Sequence, residues 1–528
     1  MWLLRVCVVL LLIINVSWGF KILGICPSPS YSHQQPFQAL MKALAARGHR
    51  VTVISPIPLK ETVENYRDID VSFTYRKKDC TGLRHVGAFE LLRRNMMESN
   101  EVCEEQIRSV AVQNLIKSKN ESFDAIVIEQ LWFQCYYALV KKYNFPVLIG
   151  FLSVGNLPYA MDSVGNPDDP ILNPDMAFNF SNRMNTIEGI INLLYTAATR
   201  FYYRHCHLPR AQQIASKIVS GTCVNEIDKN FSLVILGNNH VFGYPKPLLP
   251  NVVEVHSLQI GEKPGTLPED IQEFLDGSQN GVVYFSLGSN LQTHQLPADS
   301  LTALVDALGS LKQRILWKHQ GDGTQGNGNG SNGDKFARAI NIKFVKWVPQ
   351  QAVLAHPKVL AYMMQGGLQS LQEAVHYAVP VIAIPFFGDQ NFNARKILDS
   401  EIGLTLDVDT MTNETIVRVV TEVITNEKYR RNMKRMSDIT KDELVKPMDR
   451  AVWSVEHVVK FQDSKHFQYH GRDITYLQYY SPFIVLLLLF ATSLLLCLTI
   501  VRLGKSILRK LLQDLLDKMT KSYNIKTE

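Results

Sequence analysis

The sequence predicts an α/β protein of two Rossmann-like domains facing each other across a cleft, followed by one membrane-spanning helix. Three observations predict it. Strand-like and helix-like patterns alternate through residues 20–465, which argues for parallel sheets joined by crossover helices. The alternation restarts after the Pro- and Gly-marked stretch from Gly261 to Gln279, giving two cycles rather than one. Finally, Phe483 to Val501 is a run of 19 residues without a charge, a glycine or a proline, long enough for a bilayer core of about 30 Å.

The elements follow in chain order. Residues 1–19 carry one Arg5, an apolar stretch, and small Ser17 and Gly19 before Phe20, the pattern of a cleaved signal peptide. The first domain is expected over 20–255. Lys21 to Pro27 reads as a strand, a helix begins at Pro36 and stops at Gly48, and Arg50 to Ser55 is the next strand. This βαβ unit lacks G-x-G-x-x-G, so a nicotinamide dinucleotide is not expected. Further strands are expected at 123–128, 146–152 and 232–237, with a helix from about Cys135 to Lys142. The second domain, over 256–465, has strands at 281–287, 314–318, 342–346, 359–363 and 379–385. Its helices run from Ala298 to Leu311 and start near Gln350, Gly367 and Asp389, and 321–333 is a Gly/Asn-rich loop. A linker (466–482), the span (483–501) and a basic tail (502–528) complete the chain.

Charge and cysteine usage set the compartment. The chain has 528 residues and a net charge of +6. Four of those charges lie in the tail and one in the leader, so residues 20–482 carry a net of only +1. A neutral body excludes a nucleic-acid-tracking surface. Arg502 and Lys505 follow the span, and Tyr476, Tyr479 and Tyr480 precede it. Basic residues stay cytosolic and aromatic belts mark the interface, so the body is expected on the far side of the membrane. The tail spaces Leu508, Leu511, Leu512, Leu515, Leu516 and Met519 as one face of a helix, suited to an anionic membrane surface or to a partner helix. Six of eight cysteines fall in the body, all before residue 224, and no C-x-x-C occurs. An oxidising lumen permits disulfides, but six cysteines allow 15 pairings and the sequence selects none. Glycosylation sequons start at Asn120, Asn179, Asn230, Asn329 and Asn413.

The chemistry concentrates in 344–390. A strand runs into Gln365-Gly366-Gly367 and a helix opens at once. Two glycines let backbone approach closely, and a helix N-terminus offers free N–H groups, which suits a diphosphate. Glu373 lies two turns in, where a carboxylate can accept from vicinal hydroxyls. The next strand ends in Asp389-Gln390, and Trp347 and Gln350 offer a flat face and an amide at another strand end. Each piece alone has an ordinary structural explanation; the ordered set does not.

This segment resembles the signature of the UDP-glycosyltransferases, the UDP-glucose/UDP-glucuronate conjugating family. The whole chain is similar to the membrane-bound animal members, the insect ones above all. The resemblance implies a GT-B architecture and a UDP-sugar co-substrate, with no prosthetic group. It implies that Trp347 stacks on uracil and Gln350 hydrogen-bonds it. Gln365, Gly366, Gly367 and Ser370 would hold the diphosphate, Glu373 the ribose hydroxyls, and Asp389 and Gln390 the sugar. Ser286, Gly288 and Ser289, in FSLGS, resemble the other phosphate-side loop. His33, placed in the loop after the first strand, would be the general base, an imidazole role. Glu129, at the end of the next chemistry-bearing strand, stands where the family usually has Asp and would orient it. The resemblance further implies inversion at the anomeric carbon.

No D-x-D lies at a sugar-nucleotide position (Asp68-Ile69-Asp70 and Asp407-Val408-Asp409 are elsewhere), so no metal is expected. Gln365 and Met364 depart from the family's usual His and Thr/Ser. The acceptor is expected to be a small lipophilic hydroxylated compound held in the ring-rich stretch that contains Phe151, Tyr159, Phe178, Phe180, Tyr195, Phe201, Tyr202 and Tyr203. The resemblance to insect members implies glucose as the sugar; glucuronate would want an extra cation near the sugar carboxylate, and the sequence places none. Detoxification at the endoplasmic reticulum membrane follows by resemblance, since Lys526 has no second lysine beside it for a retrieval signal. The oligomeric state is left open. A non-catalytic lipophile-binding luminal protein on the same fold is the competing reading.

Overall fold

The computed structural model describes residues 19–76, 82–289, 291, 293–319, 339–462, 465–469, 471 and 476–524. Most of the leader, Cys80, the loop at 321–333 with Asn329, and Lys526 lie outside the described residues.

The first sheet has seven parallel strands: β1 (Lys21–Ile25), β2 (Arg50–Ser55), β3 (Tyr66–Asp70), β4 (Ala125–Glu129), β5 (Val147–Leu152), β6 (Leu233–Leu236) and β7 (Val252–Glu254), in the order β3-β2-β1-β4-β5-β6-β7. Strands β4, β5 and β6 are buried along their whole length, as expected where helices cover both faces. Among those helices are α1 (Tyr31–Ala46), α2 (Ala88–Ile107) and α3 (Thr186–Tyr202). A disulfide, Cys103–Cys135, ties α2 to the turn after β4, selecting one of the pairings the sequence left open.

The second sheet has six parallel strands: β8 (Val282–Ser286), β9 (Arg314–Lys318), β10 (Ile342–Val345), β11 (Val359–Met364), β12 (Val381–Ala383) and β13 (Gly403–Thr405), in the order β10-β9-β8-β11-β12-β13. Helices α4 (Gln350–Leu354), α5 (Leu368–His376) and α6 (Gln390–Asp399) follow β10, β11 and β12. Each sheet reverses direction once, between β1 and β4 and between β8 and β11. Ligands in such sheets bind beyond the carboxyl ends of the strands at that reversal; the Gly288 and Gln365 turns lie at the second reversal, and Trp347 and Asp389 at the ends of β10 and β12 in the same sheet.

Three expectations are corrected. Helix α1 begins at Tyr31 rather than Pro36, so Pro36 is internal and His33 is helical rather than in a loop. The early start is held by Gln34, whose Nε2 donates to Cys26 O (2.8 Å) and Ser28 O (2.9 Å) and so clamps the incoming chain. Helix α7 (Pro447–Phe461), expected in the second domain, packs on the first sheet. Its Val452, Val455, Val458 and Val459 join the core formed by β1, β5 and α1, and Glu456 accepts from Arg47 at 3.0 and 3.1 Å. The linker is also shorter than expected, because α8 (Tyr476–Asn524) runs unbroken from 476 through the span and most of the tail. This helix belongs to a second compact unit, His470–Glu528, and is long and apolar enough to cross a membrane.

Val455→Asp should therefore destabilise the first domain by about 3 kcal/mol or more, because it buries an unpaired charge. The readout is soluble yield and thermal midpoint. Lys460→Asp, on the exposed side of the same helix, should leave both unchanged.

Candidate active site

On the second-domain side the site is built from two turns that interlock. The turn after β8 holds Gly288 at φ +79°, and a Cβ there would lie 2.5 Å from Gln365 Nε2. The turn after β11 holds Gly366 at φ +90°, where a Cβ would lie 3.2 Å from Gln390 O. Only glycine fits such close approaches at left-handed φ. Asn393 Nδ2 donates to Gly366 O and to Asp389 Oδ2, each at 2.8 Å. Gln390 Oε1 accepts from the Phe386 and Phe387 amides (2.8 and 3.1 Å), and its Nε2 donates to Gln365 Oε1 (3.2 Å). Helix α5 opens directly from Gly367 with no side-chain cap. Asp389 accepts from the first of its amides, Leu368 N–H, and the next ones lack an intrahelical acceptor and suit an anion.

Deeper in, Gln350 is oriented from both ends. Its Oε1 accepts from the hydroxyls of Tyr284 (3.1 Å) and Tyr362 (3.0 Å), and its Nε2 donates to Glu373 Oε2 (2.7 Å) and Ser370 Oγ (3.2 Å). Burial pushes the Glu373 carboxyl up, against the opposing pull of Gln350, Gln351 and Lys318. Trp347 is 52 % exposed. One of its faces carries Lys318 Nζ at 4.0 Å from the ring centroid, and Tyr31 of the first domain meets it edge-on at 5.1 Å.

On the first-domain side, His33 projects from the first turn of α1. Its Nδ1 lies 2.6 Å from Glu129 Oε1 and 2.8 Å from Ser153 Oγ, and Ser153 Oγ donates to the same carboxylate oxygen at 3.3 Å. Glu129 and Ser153 reach the pair from the ends of β4 and β5, which run in parallel register. Burial alone would raise the Glu129 carboxyl, but the charge and hydrogen bond of His33 outweigh it and hold it below the usual range. With Nδ1 engaged, Nε2 has no partner among the described residues and remains for a ligand.

The two sides enclose one cavity of about 500 Å³. His33, Gly288, Ser289, Trp347, Gln350, Gln365, Gly367, Ser370, Glu373, Asp389 and Gln390 line it. Glu129, Ser286 and Gly366 stand behind the wall. Ser286 Oγ accepts from the Gly288 amide at 3.3 Å and shapes the turn.

None of the eight rings expected to hold the acceptor lines the cavity. Some pack on one another, as in the Tyr159–Tyr203 stack at 4.3 Å and the Phe178–Tyr195 contact at 4.9 Å, while Phe151 packs on Phe37 and Tyr202 on Phe89. The apolar wall comes instead from α2 and from the segment after β4, through Leu91, Val102, Leu131, Trp132 and Phe133. Ser153 and Lys318 also escaped the sequence reading. Each sits at the carboxyl end of an apolar strand, which was the available signal.

Residues 21–518 match the family described as UDP-glucoronosyl and UDP-glucosyl transferase. The chain belongs to the UDP-glycosyltransferase family. It is 30 % identical over 483 residues to UDP-glucosyltransferase 2 of Dactylopius coccus, covering 88 % of this chain and 89 % of that one. It is 26 % identical over 500 residues to UDP-glucuronosyltransferase 2B10 of Homo sapiens, covering 89 % and 91 %. Its fold is similar to that of a UDP-glucose:anthocyanidin 3-O-glucosyltransferase solved with UDP, with a TM-score of 0.55, 18 % identity, and 84 % and 99 % coverage. The protein is thus a GT-B glycosyltransferase that uses a UDP-sugar, and the two sheets are its two Rossmann-like domains.

In this UDP-glycosyltransferase, Lys318 brings an ammonium to the cavity beside Trp347 and the Gly288 turn. Burial pushes its ammonium down to about 8, only partly offset by Glu373. It is protonated below that pH and neutral above it. The kcat/KM for the UDP-sugar should therefore fall as pH rises through about 8. Lys318→Met should flatten that limb and lower kcat/KM at pH 7 by about tenfold to hundredfold, from the ~1.5–3 kcal/mol of a hydrogen bond to a charged group. Gly288→Ala should displace Gln365 and raise the KM for the donor about tenfold, the equivalent of one lost hydrogen bond, with kcat less affected; steady-state kinetics on folded protein give the split.

Proposed function

We propose that the protein transfers a hexosyl group, glucose first, from its UDP conjugate to a hydroxyl of a small lipophilic acceptor, with His33 as general base. The observation that carries this is the His33–Glu129 contact on the cavity wall. The carboxylate accepts from Nδ1–H and fixes the tautomer, so that Nε2 is the basic nitrogen. His33 Nε2 takes the acceptor's hydroxyl proton as the oxygen attacks the anomeric carbon from the face opposite the leaving group. The new C–O bond forms, the bond to the β-phosphate oxygen breaks, and the anomeric centre inverts. The α5 amides, Gln365, Ser370 and the Lys318 ammonium meet the charge on departing UDP, so no metal is required for that task. Trp347 and Gln350 hold uracil, with the base on the Trp347 face that Lys318 leaves open, and Glu373 holds the ribose.

Asp389 and Gln390 hold the sugar. The Asp389 carboxyl supports a neutral hexose, because a uronate would bring a second carboxylate to it. The Leu91–Phe133 wall supports an apolar acceptor. Exposed sequons at Asn120, Asn179 and Asn230 and the basic residues after the span support a luminal body and a cytosolic tail. The role that fits this arrangement is conjugation of foreign and endogenous lipophiles at the endoplasmic reticulum membrane.

The test is UDP release from radiolabelled UDP-glucose with a panel of phenols. His33→Ala should retain UDP-glucose binding and lose at least about hundredfold in turnover, the lower range for a removed general base. Equal turnover would overturn the assignment of the base. Faster turnover with UDP-glucuronate would overturn the assignment of the sugar.

A further inference from the structure

The first turn of α1 makes two unlike contacts from residues two apart. His33 turns to Glu129 and Ser153 of its own domain, at 2.6 and 2.8 Å. Tyr31, the first residue of the helix, reaches across the cleft to Trp347 of the second domain. The two ring centroids are 5.1 Å apart and the planes stand at 88°. Both Tyr31 and His33 line the cavity. Side chains two apart on a helix point in different directions, so one turn engages both domains at once.

The turn is stiff between these contacts. Gln34 Nε2 donates to Cys26 O and Ser28 O, and its Oε1 accepts from Ser55 Oγ at 2.8 Å. A shift of Tyr31 is therefore carried to His33 about an anchored residue. Across the cleft, Trp347 rests one face on Lys318, and Lys318 Nζ donates to Gly288 O at 3.2 Å. About half of Trp347 is exposed, which leaves its other face for a flat ligand. Burial pushes the Tyr31 hydroxyl up, against a hydrogen bond with Gln35, and the charge of Glu373 adds to the rise. Tyr31 thus stands before the aromatic platform and within the field of the second-domain carboxylate.

We propose that Tyr31 is a positioning residue, whose edge contact with Trp347 lets a base stacked on that ring set the attitude of the α1 first turn and so of His33. This rests on the reading that Trp347 holds uracil and His33 takes the acceptor's proton. An aromatic pair of this geometry is a weak contact by itself. Its leverage comes from what it positions, because a misplacement of about 1 Å at a reacting group can cost about hundredfold in rate. Binding energy from the base, remote from the anomeric carbon, is then spent in kcat as well as in donor affinity. A Tyr31 that merely walled the nucleotide site would act on donor affinity alone, and one that merely packed would act on stability.

The test compares Tyr31→Leu and Tyr31→Phe in the full chain. UDP affinity is read by calorimetry, and kcat and the donor KM with a saturating phenol. Tyr31→Leu should keep its thermal midpoint, hold UDP within about threefold of wild type and lose about tenfold or more in kcat. Tyr31→Phe retains the ring and should stay within about twofold of wild type in kcat. Amide hydrogen exchange gives a readout on the unaltered protein: UDP should slow exchange at 32–37 in the wild type and leave it unchanged in Tyr31→Leu. Wild-type kcat in Tyr31→Leu, a loss confined to UDP affinity, or exchange at 32–37 that ignores UDP in the wild type would each overturn the proposal. His33→Ala assayed alongside separates the two claims. Full turnover in His33→Ala would overturn the reading of the base, whereas an inactive His33→Ala beside a fully active Tyr31→Leu would overturn the positioning role alone.

Discussion

The site depends on one helix that serves both domains. Helix α5 turns its first amides toward the anion-binding side of the cavity, and two side chains of its first turns cross the cleft. Gln369 Nε2 donates to Ser153 O at 2.5 Å, and Gln372 Nε2 donates to Gly237 O at 3.0 Å. Ser153 is also the residue whose hydroxyl sits beside His33 and Glu129. The distance between the first amides of α5 and the His33 imidazole is thereby set by hydrogen bonds spanning two residues, rather than by a long relay. Arg84 reinforces the spacing at another point of the cleft through its pair with Asp409 at 2.8 Å. Positioning to a fraction of an ångström is what converts a binding site into a catalytic one.

Electrostatics follow the same economy. The body is nearly neutral, and the second-domain side of the cavity carries Lys318 and a set of oriented dipoles. Lys318 is largely buried, its Nζ donating to Gly288 O at 3.2 Å while resting on the Trp347 face. Its ammonium is therefore held at the mouth of the glycine turn before any anion arrives. A surface rich in lysine would attract nucleic acid and anionic lipid as readily as a nucleotide sugar. A single desolvated cation beside helix amides is selective for a compact diphosphate.

Much of this was legible in the sequence, for identifiable reasons. Buried parallel strands are short continuous apolar runs, so KILGI, AIVIE and VVYFS announced themselves. Gln365-Gly366-Gly367 was legible because a left-handed glycine before a helix is a local requirement. What escaped was decided by contacts distant in sequence. Helix α1 starts five residues before Pro36 because Gln34 folds back onto Cys26 and Ser28, a tertiary clamp that overrides the proline signal. Helix α7 looks like the end of the second domain, but its valines complete the core of the first. The aromatic stretch from Phe151 to Tyr203 looked like an acceptor wall, yet none of its rings lines the cavity: most pack in the first domain and Phe201 is exposed. The wall falls to α2, pinned by the Cys103–Cys135 bridge that no spacing rule could select.

The departure at Gln365 shows how the donor turn is made rigid without a histidine. An amide has a donor end and an acceptor end; here the acceptor end is committed and the donor end packs against the Gly288 turn. Its Oε1 accepts from Gln390, while its Nε2 lies against Gly288 so closely that no other residue fits there. Gln390 is itself fixed by the Phe386 and Phe387 amides, and Asn393 holds Gly366 O. The turn after β11 is therefore held by neutral hydrogen bonds to Gln390 and Asn393, and the Gly288 turn packs closely against it. A turn already ordered loses little conformational entropy when a donor binds, so more of the interaction energy remains for the charge that develops on the departing diphosphate. Gln365 therefore adds no titrating group to this side of the cavity, where burial shifts both Lys318 and Glu373.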